Sequence, residues 1–178
     1  MNLPAWYAAL PVAISAAGVL FTDEDGRVLL VRTTYKNDWD LPGGVIEVGG
    51  GETPAAAARR ELREELGLDR PVGDLLSIDV RPARPDRRAL LAFLFDGGRL
   101  GADDLAEIRF LDGEIAEVRF VALDEVGGLA EAALTRRIRA TLRHPGPGLL
   151  FLSDGDPTGD DRAHGPHERP DRPEHPLR

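Results

Sequence analysis

Glu52-Thr53-Pro54-Ala55-Ala56-Ala57-Ala58-Arg59-Arg60-Glu61-Leu62-Arg63-Glu64-Glu65-Leu66-Gly67-Leu68 is the stretch that decides the architecture. It predicts a helix over 53–66 with both ends marked. The Thr53 hydroxyl accepts from an N–H of the first turn that has no helical partner, and Pro54 suits the first helical position because its φ is already fixed. Gly67 provides a left-handed stop. At about 100° per residue, Glu61, Glu64 and Glu65 fall within an arc of ~100°, with Ala58, Leu62 and Leu66 as an apolar seam beside them.

Carboxylates at these spacings repel by about a few tenths of a kcal/mol per pair on an isolated helix. A divalent cation reverses that sign. Mg²⁺ prefers hard oxygen ligands and keeps positions for water and substrate phosphates. Such an ion neutralises a pyrophosphate and lowers the pKa of an attacking water, while a spare carboxylate takes the proton. Arg60, one turn before Glu64, is placed to pair with it. The competing account is an ordinary solvated helix face, the usual explanation for a run of charges.

Working outward, Leu41-Pro42-Gly43-Gly44 is a turn that brings bare backbone close to another group. Before it, two apolar runs at 12–21 and 27–32 flank the polar Thr22-Asp23-Glu24-Asp25-Gly26, a hairpin signal. After the helix, strands are expected at 75–80, 88–95 and 118–122, with a turn at Asp96-Gly97-Gly98 and a second helix over about 129–142. Strands and helices in that order suit an α/β fold in which helices sandwich a mixed sheet. Residues 1–152 are expected to form one domain, and 153–178, dominated by Gly, Pro, Asp, Arg and His, a disordered tail.

Composition narrows the chemistry. With no cysteine, thiol nucleophiles and thiolate metal sites are excluded. Three of the four histidines, His164, His167 and His175, fall in the tail, leaving carboxylates as the available catalysts. A net charge of -9 argues against nucleic-acid binding as the main activity. The apolar start has no basic residue before Arg27 and is broken by Pro4 and Pro11, so it fits neither a signal peptide nor a membrane span. A cytoplasmic protein is expected. Arg81, Arg84, Arg87 and Arg88 lie in a Pro-containing loop and read as solvated charge rather than a grip on a distal phosphate or ribose. Trp39 suits either stacking on a base or packing against the glycine turn. Trp6 and Tyr7, ahead of the first strand, read as core rather than as lining of a substrate cleft.

Residues 60–68 resemble the second half of the Nudix box at every specified position. Glu52 precedes Arg60 with seven residues intervening, as that pattern requires, and Trp39 to Gly44 is similar to the Trp-x-Leu-Pro-Gly-Gly lead-in common in the family. One departure lies between Gly44 and Glu52, where seven residues intervene instead of five; the surplus falls in Gly49-Gly50-Gly51. The resemblance implies a Nudix-type α/β/α sandwich with a mixed β-sheet. It implies an Mg²⁺- or Mn²⁺-dependent phosphoanhydride hydrolase acting on a nucleoside diphosphate derivative such as ADP-ribose, an NADH-like dinucleotide or a nucleoside triphosphate. By the same resemblance Glu61 and Glu65 are the principal metal ligands, and Glu64 is a third ligand or the proton acceptor. The Gly44 carbonyl is a backbone ligand, with Arg60 and Glu52 in support. A later acidic residue assists in many members; here Glu117 is favoured over Glu114. The alternative function is a regulatory module that binds ADP-ribose or a nucleotide without cutting it, and an isomerase is more remote. A homodimer is compatible with the resemblance, although the sequence marks no interface.

Overall fold

The computed structural model describes residues 4–111, 113–144 and 148–159. Its centre is β1 (Ala13–Thr22), which runs parallel to β6 (Ala89–Arg99) along its whole length. Successive side chains of a strand point to opposite faces. Accordingly Val19 and Phe21 of β1 join Leu29 and Val31 of β2 (Val28–Thr33) under one helix layer, while Leu20, Val28 and Leu30 face the other. Strands buried on both faces read as unbroken apolar runs, which is how these two appear in the sequence.

The first layer is α2 (Pro54–Leu66), whose Ala58, Leu62 and Leu66 are completely buried. The second is α4 (Ala132–Arg143), which contributes Leu134 and Ile138. The chain is thus an α/β/α sandwich about a mixed sheet, as expected.

The expected hairpin departs from its simple form. Only Thr22 and Val28 pair between β1 and β2. Beyond that rung the strands splay. The chain between them fills the wedge: β4 (Gly43–Val45) pairs with β1 from Ala16 to Gly18, and β3 (Trp39–Asp40) pairs with Val31 and Arg32 of β2. The splay places the glycine turn between the central strand and α2, and the site depends on it.

On the far side β5 (Leu75–Arg81) lies antiparallel to β6, and α3 (Ala102–Glu107) follows β6. β7 (Ile115–Val121) covers the outer edge of β2, while the short α1 (Ala5–Ala8) precedes β1. Trp6 and Tyr7 on α1 are exposed and meet edge to face at 5.5 Å, so the expectation that they belong to the core does not hold.

Two further expectations are corrected. Asp96-Gly97-Gly98 is not a turn: β6 continues through it, and the glycines allow a bulge opposite Leu20 and Phe21. A Cβ on Gly97 would run into the Phe21 ring. The ordered domain also passes residue 152, because β8 (Leu150–Ser153) adds parallel to β5 and turns back through Asp154 and Gly155 into β9 (Asp156–Pro157). Leu152 is 1% exposed, so this edge is sealed into the core by a residue whose strand partner is distant in sequence. Residues 160–178, including the remaining expected tail, lie outside the described residues. No helix among the described residues is long and apolar enough to cross a membrane.

Candidate active site

The caps of α2 are those its sequence implies. Thr53 Oγ1 accepts from Ala56 N at 3.2 Å, and Gly67 takes φ 71° while its N–H bonds back to the Arg63 carbonyl at 3.1 Å. With the helix pinned by its apolar seam, the acidic face meets the glycine turn. Glu65, 6% exposed, accepts from Gly43 N at 2.9 Å. Gly44 packs so closely on Glu61 that a Cβ there would overlap the carboxylate.

Arg60 ties the cluster together. Its Nε and Nη2 donate to Glu52 at 2.9 and 3.1 Å, and Nη2 also reaches the Val45 carbonyl at 3.0 Å. Its Nη1 is shared between Glu61 at 2.8 Å and Glu64 at 2.9 Å. Glu52 in turn accepts from Glu47 N at 2.8 Å, closing the loop that holds Gly49, Gly50 and Gly51. The surplus residues of that loop form an exposed 3-10 turn, Val48–Gly50, and leave both the helix register and the Glu52–Arg60 pair intact.

Electrostatics sort the carboxylates. The Arg60 guanidinium holds Glu52 below the usual carboxylate range. Burial pushes Glu61 up; Arg60 opposes this, while the nearby charges of Glu64 and Glu114 add to it. Glu64 is the most open of the set that Arg60 binds, with a side chain 45% exposed against 16% for Glu61 and 14% for Glu52. Glu117 belongs to another cluster: Arg119 at 2.9 Å and Arg32 at 3.2 Å hold it below its ordinary range. Both guanidiniums lie over the Trp39 ring, at 4.6 and 6.0 Å from its centre.

Arg60→Ala is expected to cost about 1–3 kcal/mol of stability, since Glu52, Glu61 and Glu64 all lose a charged donor at once. Arg60→Lys should recover only part of this, because an ammonium cannot span four acceptors as the planar fork does. Urea midpoints check it; no shift for Arg60→Ala would mean that the network adds nothing to the fold.

Beside the glycine turn a cleft of about 320 Å³ opens, lined among others by Gly43, Gly44, Trp39, Arg81, Glu131 and Arg137. Trp39 is 5% exposed and forms part of this wall. The arginine loop is not simply solvated. Arg81 is 7% exposed and forks Glu131 at 2.5 and 3.0 Å, and Arg84 and Arg87 reach Asp154 at 2.9 and 3.3 Å, whereas Arg88 is exposed. Glu131, Asp79 and Arg137 carry no local sequence signal, since their partners lie 50 or more residues away, and the nearest ion-pair partner of Asp154, Arg136, is 18 residues away.

The NUDIX domain family model matches residues 13–144, which contain the glutamate helix, the glycine turn and most of the cleft wall. The chain belongs to the Nudix family. An ADP-ribose pyrophosphatase of Methanocaldococcus jannaschii is 34% identical over 108 residues, covering 56% of this chain and 62% of that protein. A MutT-like protein of Streptomyces ambofaciens is 41% identical over 66 residues, covering 37% and 41%. The chain therefore spans less than two thirds of the length of these curated relatives. The crystal structure of a MutT protein from Methanosarcina mazei Go1 superposes with a TM-score of 0.63 at 25% identity, covering 77% of this chain and 98% of that one.

Nudix hydrolases use divalent metal ions, and the donor set here suits one. Glu61, Glu64 and Glu65 offer hard carboxylate oxygens, and Gly44 presents backbone with no side chain to obstruct it. Among the described residues, no three acidic or imidazole side chains converge into a ready-made ligand shell. Arg60 Nη1 pairs with both Glu61 and Glu64, so positive charge already lies beside these two carboxylates.

Proposed function

We propose that the chain is an Mg²⁺- or Mn²⁺-dependent hydrolase that cuts the pyrophosphate of a nucleoside diphosphate derivative by attack of water, with ADP-ribose the leading candidate. The observation that carries this reading is the Glu61 carboxylate lying against Gly44 at the edge of the cleft, on the helix face it shares with Glu64 and Glu65. Glu61, Glu65 and the Gly44 carbonyl would hold the ion, which would supply charge to offset the phosphates and lower the pKa of the attacking water.

The chain's own residues have separable tasks. Arg60 and Glu52 fix the rotamer of Glu61. Glu65 braces the glycine turn through Gly43 N. Glu64, the most open carboxylate bound to Arg60, takes the proton from water. The name of the Methanocaldococcus jannaschii relative is what puts ADP-ribose first among the candidates.

The test is release of AMP from ADP-ribose, with NADH, dinucleoside polyphosphates and nucleoside triphosphates alongside, in Mg²⁺, in Mn²⁺ and with EDTA. Metal-dependent AMP release that EDTA abolishes is expected. Tight binding of ADP-ribose without cleavage of any compound would replace this reading with the regulatory module.

A further inference from the structure

Asp154, at the tip of the β8–β9 turn, has φ 53°, a left-handed conformation uncommon outside glycine. Gly155 follows at φ 89°, where a Cβ would run into the Ala133 carbonyl of α4. Such a conformation persists where the surroundings over-determine it, and here they do. The Asp154 carboxylate accepts from Arg81 Nε at 3.2 Å, Arg87 at 3.3 Å, Arg84 at 2.9 Å and Arg136 at 3.2 Å, while its carbonyl accepts from Arg136 again. Beside it, Gly155 N donates at 3.0 Å to Asp79, which is fully buried and paired with Arg137 at 2.9 Å. One hairpin tip thus locks β5, the arginine loop and α4 together.

Asp154 does not line the cleft, but Arg81 and Arg137, the ends of its network, do, together with Glu131. Each cation of the cleft wall has its own carboxylate: Lys36 has Asp40 at 2.7 Å, Arg81 has Glu131, and Arg137 has Asp79. The wall is polar with its positive charge already matched, a poor receptor for an additional phosphate. Glu131 has a side chain 55% exposed, and a carboxylate forked by arginine keeps lone pairs for further donors. Hydroxyl groups are such donors.

We propose that Glu131, oriented by Arg81, is a specificity-determining residue that receives the hydroxyl-rich, uncharged end of a nucleoside diphosphate derivative. Asp154 is the positioning residue that keeps Arg81 aimed. The proposal rests on the hydrolase reading above and names the part of the substrate that this wall selects.

The experiment measures kcat and KM for ADP-ribose and for ATP, which carries a third phosphate where ADP-ribose carries a sugar, in wild type, Glu131→Ala and Asp154→Asn. Asn tolerates the left-handed region and keeps a side-chain oxygen for the arginines, and in Glu131→Ala the guanidinium of Arg81 retains Asp154; a thermal melt checks that both variants keep the fold. The expected result is a rise in KM for ADP-ribose of about tenfold or more in both variants with kcat nearly unchanged, and no rise for ATP. A loss that is merely structural would lower both substrates alike. Unchanged KM for ADP-ribose in both variants of an active enzyme overturns the proposal and leaves the hydrolase reading standing. A wild type that cleaves nothing in the panel removes that reading first.

Discussion

Glu61→Gln is expected to leave the domain folded while lowering kcat for metal-dependent hydrolysis by about 10²–10⁴-fold, the range associated with losing a charged group that acts in the transition state. The two side chains are almost the same size, so the contact with Gly44 survives. Stability changes little because two effects oppose each other. Neutralising Glu61 relieves the burial that pushes its pKa up, and it weakens the bond from Arg60 Nη1 at 2.8 Å. The net change should lie within about 1 kcal/mol, as for most substitutions that create neither a cavity nor an unpaired buried charge. A thermal melt beside a steady-state rate measurement separates the two quantities. A variant that melts like wild type and turns over at the wild-type rate would remove Glu61 from the site.

That this prediction can be framed from so few residues shows where the sequence is informative. The cap at Thr53, the stop at Gly67 and the acidic face of α2 are all set by neighbours within about one turn. Local rules therefore reach them, and they reach the Arg60–Glu64 pair for the same reason. The Glu52–Arg60 pair lies eight residues apart, with Glu52 ahead of the N-cap and Arg60 on the second turn of α2, beyond helix spacing, and is legible only through the family pattern.

Other parts of the molecule depend on contacts that no local rule registers. The splay of β1 from β2 is caused by the Trp39–Val45 chain competing for the same edges, so a good hairpin signal predicts the turn but not the pairing. Leu150 to Ser153 is a short segment in a polar neighbourhood, and it becomes a strand only because β5 has an open edge. The arginine loop reads as solvated charge until Glu131, 50 residues on, and Asp154, 73 residues on, arrive beside Arg81. Charge in the sequence is visible. The countercharge that decides whether it is buried is not.

Gly43→Ala and Gly44→Ala, adjacent and chemically identical substitutions, are expected to fail in different ways. At Gly43 the backbone sits at φ 142°, a region that L side chains rarely adopt, and a Cβ there would collide with the Ala17 carbonyl and with Gly18 Cα at 2.6 Å. Those obstacles are backbone of the central strand, held between β4 and β6, and cannot step aside without parting the sheet. A cost of about 4 kcal/mol or more follows, a large share of the ~5–15 kcal/mol that holds a domain together. Gly44 has no such φ, and the nearest atoms its Cβ would meet belong to the end of the Glu61 side chain, which can give way by loosening its bond from Arg60. The fold should therefore lose about 1 kcal/mol or less, while the displaced carboxylate costs activity on the order of that lost in Glu61→Gln. Urea unfolding and kcat, measured on both variants, should show stability falling mainly in Gly43→Ala and rate falling mainly in Gly44→Ala. Full activity in Gly44→Ala would mean that the position of Glu61 against the turn is incidental; a normally stable Gly43→Ala would mean that the turn does not wedge against β1 as described. The two glycines divide the work of the turn, the first letting it fit against the sheet and the second letting the glutamate approach it.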